Sequence, residues 1–253
     1  MSKILSLLLF FLIVTLQAFP HYERTYQGRE EYRIGGSSMN KRLEIINSFL
    51  PDCPNVFEAG AYNGEDSVKL SKMWPDGQII SFEPNPKAFQ LYKKKAQNYS
   101  NMFGYNLALN TYNGTATFFL CWGTGGKDPV FEGASSLLVP SDAMKENYMG
   151  PEIQIPCVIF DDWCQKNQIE KIDFMWLDLE GFELQFLKSS PKILKTVKVI
   201  YTETNLFEFR KGTTMYPGIL KYLTSLGFTM VAHWYNDGLQ GDAVFVRNEL
   251  LGL

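Results

Sequence analysis

Val56-Phe57-Glu58-Ala59-Gly60-Ala61-Tyr62-Asn63-Gly64-Glu65-Asp66-Ser67 is an apolar run that ends in an acid, turns at glycine and opens into an amphipathic segment reaching Trp74. That order reads as strand, tight loop and helix. In an open α/β sheet, the crevice beyond the carboxyl end of such a strand is where a nucleotide-like ligand sits. Gly60 and Gly64 remove side chains where the loop must turn and where a ligand approaches the backbone. The spacing is acid-x-Gly-x-x-x-Gly, not the Gly-x-Gly-x-x-Gly of dinucleotide-binding turns.

Strands and helices alternate around this unit. Leu43, Ile46, Phe49 and Leu50 fall at helical spacing before Pro51. A second strand runs from Gln78 to Glu83 and stops at Pro84, followed by a basic amphipathic helix from Pro86 to Asn98. Met102 to Ala108 reads as a third strand, and the Asn113-Gly114 turn signal before Thr115 to Cys121 as a hairpin. Trp122 to Pro151 is loop-like, and a connection of that length reads as a lid or binding loop. Its Gly123-Thr124-Gly125-Gly126-Lys127 lacks the earlier glycine and the following Ser or Thr of a phosphate loop. Further strands are expected from Ile172 to Asp178 and from Val197 to Thr202, the latter ending at Glu203. Helices are expected from Gly181 to Lys188 and from Met215 to Leu226, before a closing hairpin of Phe228 to Ala232 and Ala243 to Val246. The alternation predicts an α/β fold: Rossmann-like, doubly wound, with a mostly parallel sheet and helices on both faces.

The first residues form a separate object. Lys3 precedes an apolar run from Ile4 to Leu16, then Gln17, Ala18, Phe19 and Pro20. This reads as a secretory signal peptide, or, stretched to Phe19, as an uncleaved membrane anchor. Arg24, Arg29 and Arg33 outnumber Lys3 plus the amino terminus, which is compatible with a cytoplasmic body for an anchored form; the side of the membrane stays open. The expected organisation is therefore a leader or anchor over residues 1–19, a linker over 20–40 and one domain over 41–253. Membrane contact is expected only through the N-terminal segment. A net charge of −3 argues against a broad grip on nucleic acid and for a small or neutral partner. Cys53, Cys121, Cys157 and Cys164 show no C-x-x-C pairing, and no metal site is read from them.

Four acids are expected at strand ends: Glu58, Glu83, Asp178 and Glu203. In a parallel sheet those ends share one edge, so the acids converge on one crevice. Each taken singly also reads as a cap for the helix that follows. Glu83, one strand beyond the glycine loop, has the placement to accept hydrogen bonds from both ribose hydroxyls. A dinucleotide and S-adenosylmethionine both suit such an acid. A pyrophosphate, however, needs a helix N-terminus aimed at it, and Glu65 and Asp66 occupy that position here. A sulfonium cofactor with an amino group is helped by those acids, so the residues favour it.

The motifs resemble, in order, those of class I S-adenosylmethionine-dependent methyltransferases of the FkbM type. They are Glu58-Ala59-Gly60-Ala61-Tyr62-Asn63-Gly64, Phe82-Glu83-Pro84-Asn85-Pro86, Asn106-Leu107-Ala108-Leu109, Ala134-Ser135-Ser136-Leu137 and Asp178-Leu179-Glu180-Gly181-Phe182-Glu183. The resemblance implies a seven-stranded sheet whose last strand is antiparallel, and methyl transfer to a hydroxyl, often on a sugar or glycan. It implies cofactor contacts at Glu58, Gly60, Ala61, Asn63, Gly64, Ser67, Glu83, Pro84 and Ala108. The first motif departs from the family pattern in having Glu58 where Asp is commoner.

Methyl transfer is an in-line displacement that mainly requires donor and acceptor to be aligned. A hydroxyl acceptor also benefits from a general base. Asp178 and Glu180 are the candidates, with Glu203 to orient the acceptor; Glu180 reads equally as a cap for the helix after Gly181. His233 is a further base candidate with an equal structural reading. The competing function is a noncatalytic exported domain that binds glycan or protein on the same fold, favoured by the leader because exported compartments are not expected to supply the cofactor.

Overall fold

The computed structural model describes residues 38–123, 132–235 and 239–253. The expected leader, residues 20–37 of the linker and residues 124–127 of the glycine run lie outside the described residues. Among the described residues no helix is long and apolar enough to cross a membrane.

The chain enters through α1 (Met39–Asn47), which starts just before the expected domain boundary. It continues through β1 (Asn55–Ala59), α2 (Glu65–Met73), β2 (Gln78–Phe82), α3 (Pro86–Ala96), β3 (Met102–Tyr105), β4 (Ala108–Leu109) and β5 (Gly114–Phe119). Then follow β6 (Glu152–Val158), α4 (Phe160–Lys166), β7 (Phe174–Leu177), α5 (Glu183–Ser189), α6 (Pro191–Leu194), β8 (Val199–Asn205), α7 (Tyr216–Ser225), β9 (Phe228–Tyr235) and β10 (Gln240–Arg247). Seven strands form one sheet in the order β3-β2-β1-β7-β8-β10-β9. The pairs from β3 to β8 are parallel, and β10, the last strand of the chain, runs antiparallel to both its neighbours. The expected sheet is therefore present.

Period-two alternation decides which side chain goes where. Phe57 and Ala59 of β1 face the larger core with Phe82, Phe160 and Phe186. Phe57 stacks 4.0 Å from Phe160 and 5.4 Å from Phe186, so three elements meet on one ring. Val56 and Glu58 face the opposite side, which α1 and α2 cover through the buried Ile46, Leu70 and Trp74. Arg42 locks α1 to that side: its guanidinium reaches Tyr201 Oη and Asp242 Oδ2, both at 2.6 Å, and lies over the Trp234 ring.

Three local expectations are corrected. The third strand is two: β3 ends at Tyr105, and β4 leaves the main sheet to join a smaller one of order β4-β6-β5. Asn113-Gly114 does not make a hairpin with the preceding segment, because β5 pairs antiparallel with β6, far along the chain. The closing strands are longer than the expected Phe228 to Ala232 and Ala243 to Val246: β9 runs on to Tyr235 and β10 starts at Gln240. The cysteines are free, Cys53 exposed and the other three buried.

Candidate functional site

The loop after β1 is shaped by close approach. Gly60 has φ +87°, and a Cβ there would lie 1.9 Å from the Asp178 carbonyl oxygen. Glycine therefore lets β1 and β7 stay paired to their carboxyl ends, where Asp178 N–H donates to Ala59 O at 3.0 Å. The N–H groups of Gly60 and Ala61 both donate to Phe82 O at 3.0 Å, tying the loop to β2. Tyr62 follows in the left-handed region at φ +46°. Gly64, at φ +81°, starts α2, and Asn63 Oδ1 accepts the Glu65 N–H.

This loop and the end of β2 border a cleft of about 470 Å³. Its opposite wall comes from the small sheet, through Ala108, Leu109 and Phe118, and from the loop carrying Glu132 and Leu137. Of the sequence-predicted residues, Gly60, Ala61, Asn63, Glu83, Pro84, Ala108, Asp178 and Glu180 line it. Glu58, Gly64, Ser67 and Glu203 do not.

Glu83 is the best-held acid. Its Oε2 accepts the Tyr62 N–H and its Oε1 the Asn85 N–H, each at 2.7 Å. Each carboxylate oxygen keeps a second lone pair, so two further donors fit without displacing the loop. Asn106 supports the same turn from behind, donating to the carbonyls of Glu83 and Pro84. Glu58 was expected in the cofactor set, but alternation turns it away from the cleft. It pairs in register with Ser81, and its Oε2 accepts the hydroxyls of Ser81 at 2.6 Å and Ser67 at 2.5 Å. Glu58 and Ser67 thus fasten α2 to the sheet and shape the loop from beneath.

Burial pushes the carboxyls of both Glu58 and Glu83 up to about 7, against the donors just named. Their sign is opposite to that of a salt-bridged acid. Between about 4.5, where these groups release protons in the unfolded chain, and about 7, the folded protein holds more protons than the unfolded one. Stability is therefore expected to fall as pH rises through that window, by on the order of 3 kcal/mol for each group. Urea denaturation at pH 5 and pH 8 checks this; an equal or higher midpoint at pH 8 would count against the two buried acids as placed.

The second acidic group lies across the cleft. Carboxylate oxygens of Asp178, Glu180 and Glu203 all lie within 4.8 Å of one another. Asp178 is open to the cleft, while Glu180 and Glu203 are half-buried. Glu203 is not at a strand end: β8 continues to Asn205, and Glu203 pairs in register with Asp242. Gln240 Nε2 donates to its Oε1 at 2.9 Å. Desolvation by the surrounding protein, felt at Asp178 although its side chain opens to the cleft, and then the like charges of Glu180 and other acids raise both Asp178 and Glu203 above the ordinary carboxylate range. Burial likewise raises Glu180 to about 7, and the Arg210 charge opposes that rise. Three carboxyls this close do not all ionise together, so the cluster holds protons near neutrality.

The two readings of Glu180 are separated by geometry. The turn before α5 is capped by Glu183, whose Oε1 accepts the N–H groups of Leu179 at 2.9 Å and Gly181 at 3.1 Å. Glu180 itself sits at φ +52°, a conformation a non-glycine residue adopts at a cost, and lines the cleft. His233 lies away from the cleft lining: its Nε2 bonds Thr204 Oγ1 and its ring packs between Tyr216 and Tyr235. Burial lowers it to about 4, so it stays neutral and structural.

Two contributors were not singled out from sequence. Tyr62 lies inside the first motif and holds Glu83 through its backbone N–H, a role that its side chain does not advertise. Arg210 is almost wholly buried, 1% exposed, beside the acid cluster, and no local pattern around it marks that position.

A parallel sheet with one antiparallel return strand, a glycine loop after its first strand and an acid-lined cleft at its carboxyl edge define a Rossmann-like methyltransferase fold. The family model of the methyltransferase FkbM domain matches residues 58–230, and the chain belongs to that family. The family takes its methyl group from S-adenosyl-L-methionine. The chain is 27% identical over 244 residues to the 2-O-methyltransferase NoeI of Sinorhizobium fredii (strain NBRC 101917 / NGR234), covering 95% of this chain and 96% of that one. More distant likenesses include an rRNA methylase from Streptococcus thermophilus, 11% identical with a TM-score of 0.49 over 84% of this chain and 97% of that one. Another is the fibrillarin of Aeropyrum pernix with natively bound S-adenosyl-L-methionine, 12% identical with a TM-score of 0.48 over 85% and 75%. Likenesses this distant say nothing about the acceptor.

Proposed function

We propose that this methyltransferase uses S-adenosyl-L-methionine to methylate a hydroxyl oxygen on a sugar, a glycan or a related small molecule. The residues present suit that cofactor. Glu83 offers two open acceptor sites beside the loop, as a ribose diol requires, and Glu65 and Asp66 give that side of the cleft an acidic lining suited to an ammonium and a sulfonium. Gly60, Ala61, Asn63, Pro84 and Ala108 form the cofactor's side of the cleft, with Glu58, Gly64 and Ser67 holding the loop in place. When bound, the cofactor supplies an electrophilic methyl on positively charged sulfur.

The observation that carries the reaction type is the pair Asp178 and Glu180 lining the same cleft, with Glu203 clustered against them outside the lining. A carboxylate whose pKa lies near 7 both accepts a proton at neutral pH and holds it, which is what a hydroxyl acceptor needs from a base. Glu180 takes the proton, Asp178 orients the acceptor hydroxyl from the cleft floor, and Glu203 supports both from β8. The relative named above as a 2-O-methyltransferase, matched over nearly its whole length, supports an oxygen acceptor.

Incubation with methyl-labelled cofactor and a panel of saccharides is expected to label a hydroxyl. Glu180→Gln is expected to lower kcat by about 10²-fold or more while leaving cofactor affinity within a few-fold. Cofactor binding with no labelled product from any acceptor would favour the noncatalytic binding domain instead.

A further inference from the structure

Among the described residues that line the cleft, six are acids: Glu65, Asp66, Glu83, Glu132, Asp178 and Glu180. Lys69 is the one base. It stands in the second turn of α2, three residues after Asp66, and its Nζ donates to Asp66 Oδ1 at 2.7 Å. The two side chains are 46% and 39% exposed, so water reaches the pair and neither side chain fills the core. A surface pair of this kind adds little to stability. The contact uses one of the three donors of the Lys69 ammonium and one of the two carboxylate oxygens of Asp66. Both partners therefore keep capacity for a further charged group. The opposite wall is of another character, with Leu109 and Phe118 from the small sheet and Leu137 from the facing loop.

S-adenosyl-L-methionine carries a single anionic group, the α-carboxylate, on the same carbon as its α-ammonium. An anion brought into a cleft bounded by acids is repelled wherever no cation meets it. We propose that Lys69 binds the carboxylate at the amino-acid end of the cofactor, with Asp66 beside it receiving the ammonium. The Asp66–Lys69 pair presents opposite charges 2.7 Å apart, and the amino-acid zwitterion presents the complementary two. Laid head to tail, the two pairs place each charge next to its opposite, and the new contacts are charge-assisted hydrogen bonds. The pair thereby orients the cofactor in the cleft. The amino-acid end lies along α2, the ribose at Glu83, and the flat base against Leu109 and Phe118 of the opposite wall. The reversed orientation sets the carboxylate against that apolar wall, where no cation meets it among the described residues. Lys69 touches no reacting atom in this arrangement, so it contributes affinity and orientation, not chemistry.

This proposal rests on the reading of the cleft as the cofactor's site, and its test does not require the acceptor to be known. Calorimetry on the full chain compares S-adenosyl-L-methionine with its decarboxylated form, which keeps base, ribose, sulfonium and ammonium and lacks only the carboxylate. The unaltered chain is expected to bind the first about tenfold more tightly. That preference is expected to shrink as salt rises from about 0.05 to about 0.5 M, because charges in contact with water are screened. Lys69→Gln is expected to weaken S-adenosyl-L-methionine about tenfold and to leave the decarboxylated form within about twofold. Lys69→Arg keeps the charge, and both ligands are expected to stay within about threefold. Equal losses for the two ligands in Lys69→Gln, or no loss for either, overturn the proposal. Gln suits a helix nearly as well as Lys, and the position is half-exposed, so the variant is expected to fold. If it does not, the unaltered chain decides alone: equal affinity for the two ligands overturns the proposal. Binding with the wrong pattern leaves the proposed function standing, whereas absence of binding of either ligand to the unaltered chain defeats that function and this proposal together.

Discussion

Glu83→Ala is expected to reduce affinity for S-adenosyl-L-methionine by about 10²-fold, which calorimetry would read directly. Two losses combine. Above about pH 7, where Glu83 is ionised, the cofactor's ribose loses a charged acceptor, a class of hydrogen bond worth about 1.5–3 kcal/mol. The Tyr62 and Asn85 N–H groups also lose the oxygens that accept them at 2.7 Å, so the loop and the β2 turn lose their common anchor. Glu83→Gln separates the two, because its single carbonyl oxygen still accepts one of the N–H groups while its amide opposes the other. About tenfold weakening is expected there. Unchanged affinity in Glu83→Ala would remove Glu83 from the cofactor site.

Gly60→Ala is expected to show the largest stability effect of any single methyl group added to the cleft. The φ of +87° is costly for a residue with a side chain, and the new Cβ would lie 1.9 Å from the Asp178 carbonyl oxygen, an overlap only backbone movement relieves. The strain amounts to about 1–2 kcal/mol from the dihedral alone. Parting β1 from β7 brings the total to about 3 kcal/mol or more. For a domain of this size that lowers Tm by roughly 6–12 °C. Because Asp178 must move, cofactor affinity is expected to fall in the same variant even where it remains folded. A Tm within about 1 °C of the unaltered chain, beyond what the strain allows, would mean the two strand ends are farther apart than described.

Much of this site was legible in the sequence because the signals were local. The strand–loop–helix around Gly60 needed only an apolar run, a glycine and an amphipathic segment, and Glu83 and Asp178 follow β2 and β7 directly. What escaped depended on pairing and on side-chain direction. Glu58 was read by its place near a strand end, but its parity in β1 sends it toward Ser67 and Ser81. β-forming residues after Asn113-Gly114 announced a strand and not its partner, and the partner, β6, lies beyond the long loop. The apolar run stops before Glu203 and so marks a terminus there, whereas pairing with β10 extends the strand past it. Arg210 carried no signal, since its value comes from a loop folding over it and from acids distant in sequence.

The central claim is that the cleft between the glycine loop and the small sheet takes an adenosyl sulfonium and directs its methyl toward Glu180. Titration of S-adenosyl-L-methionine into the full chain tests this most directly. The account predicts saturable one-site binding that S-adenosylhomocysteine competes away and that Glu83→Ala weakens about 10²-fold. No saturable binding to the unaltered, folded chain would contradict it.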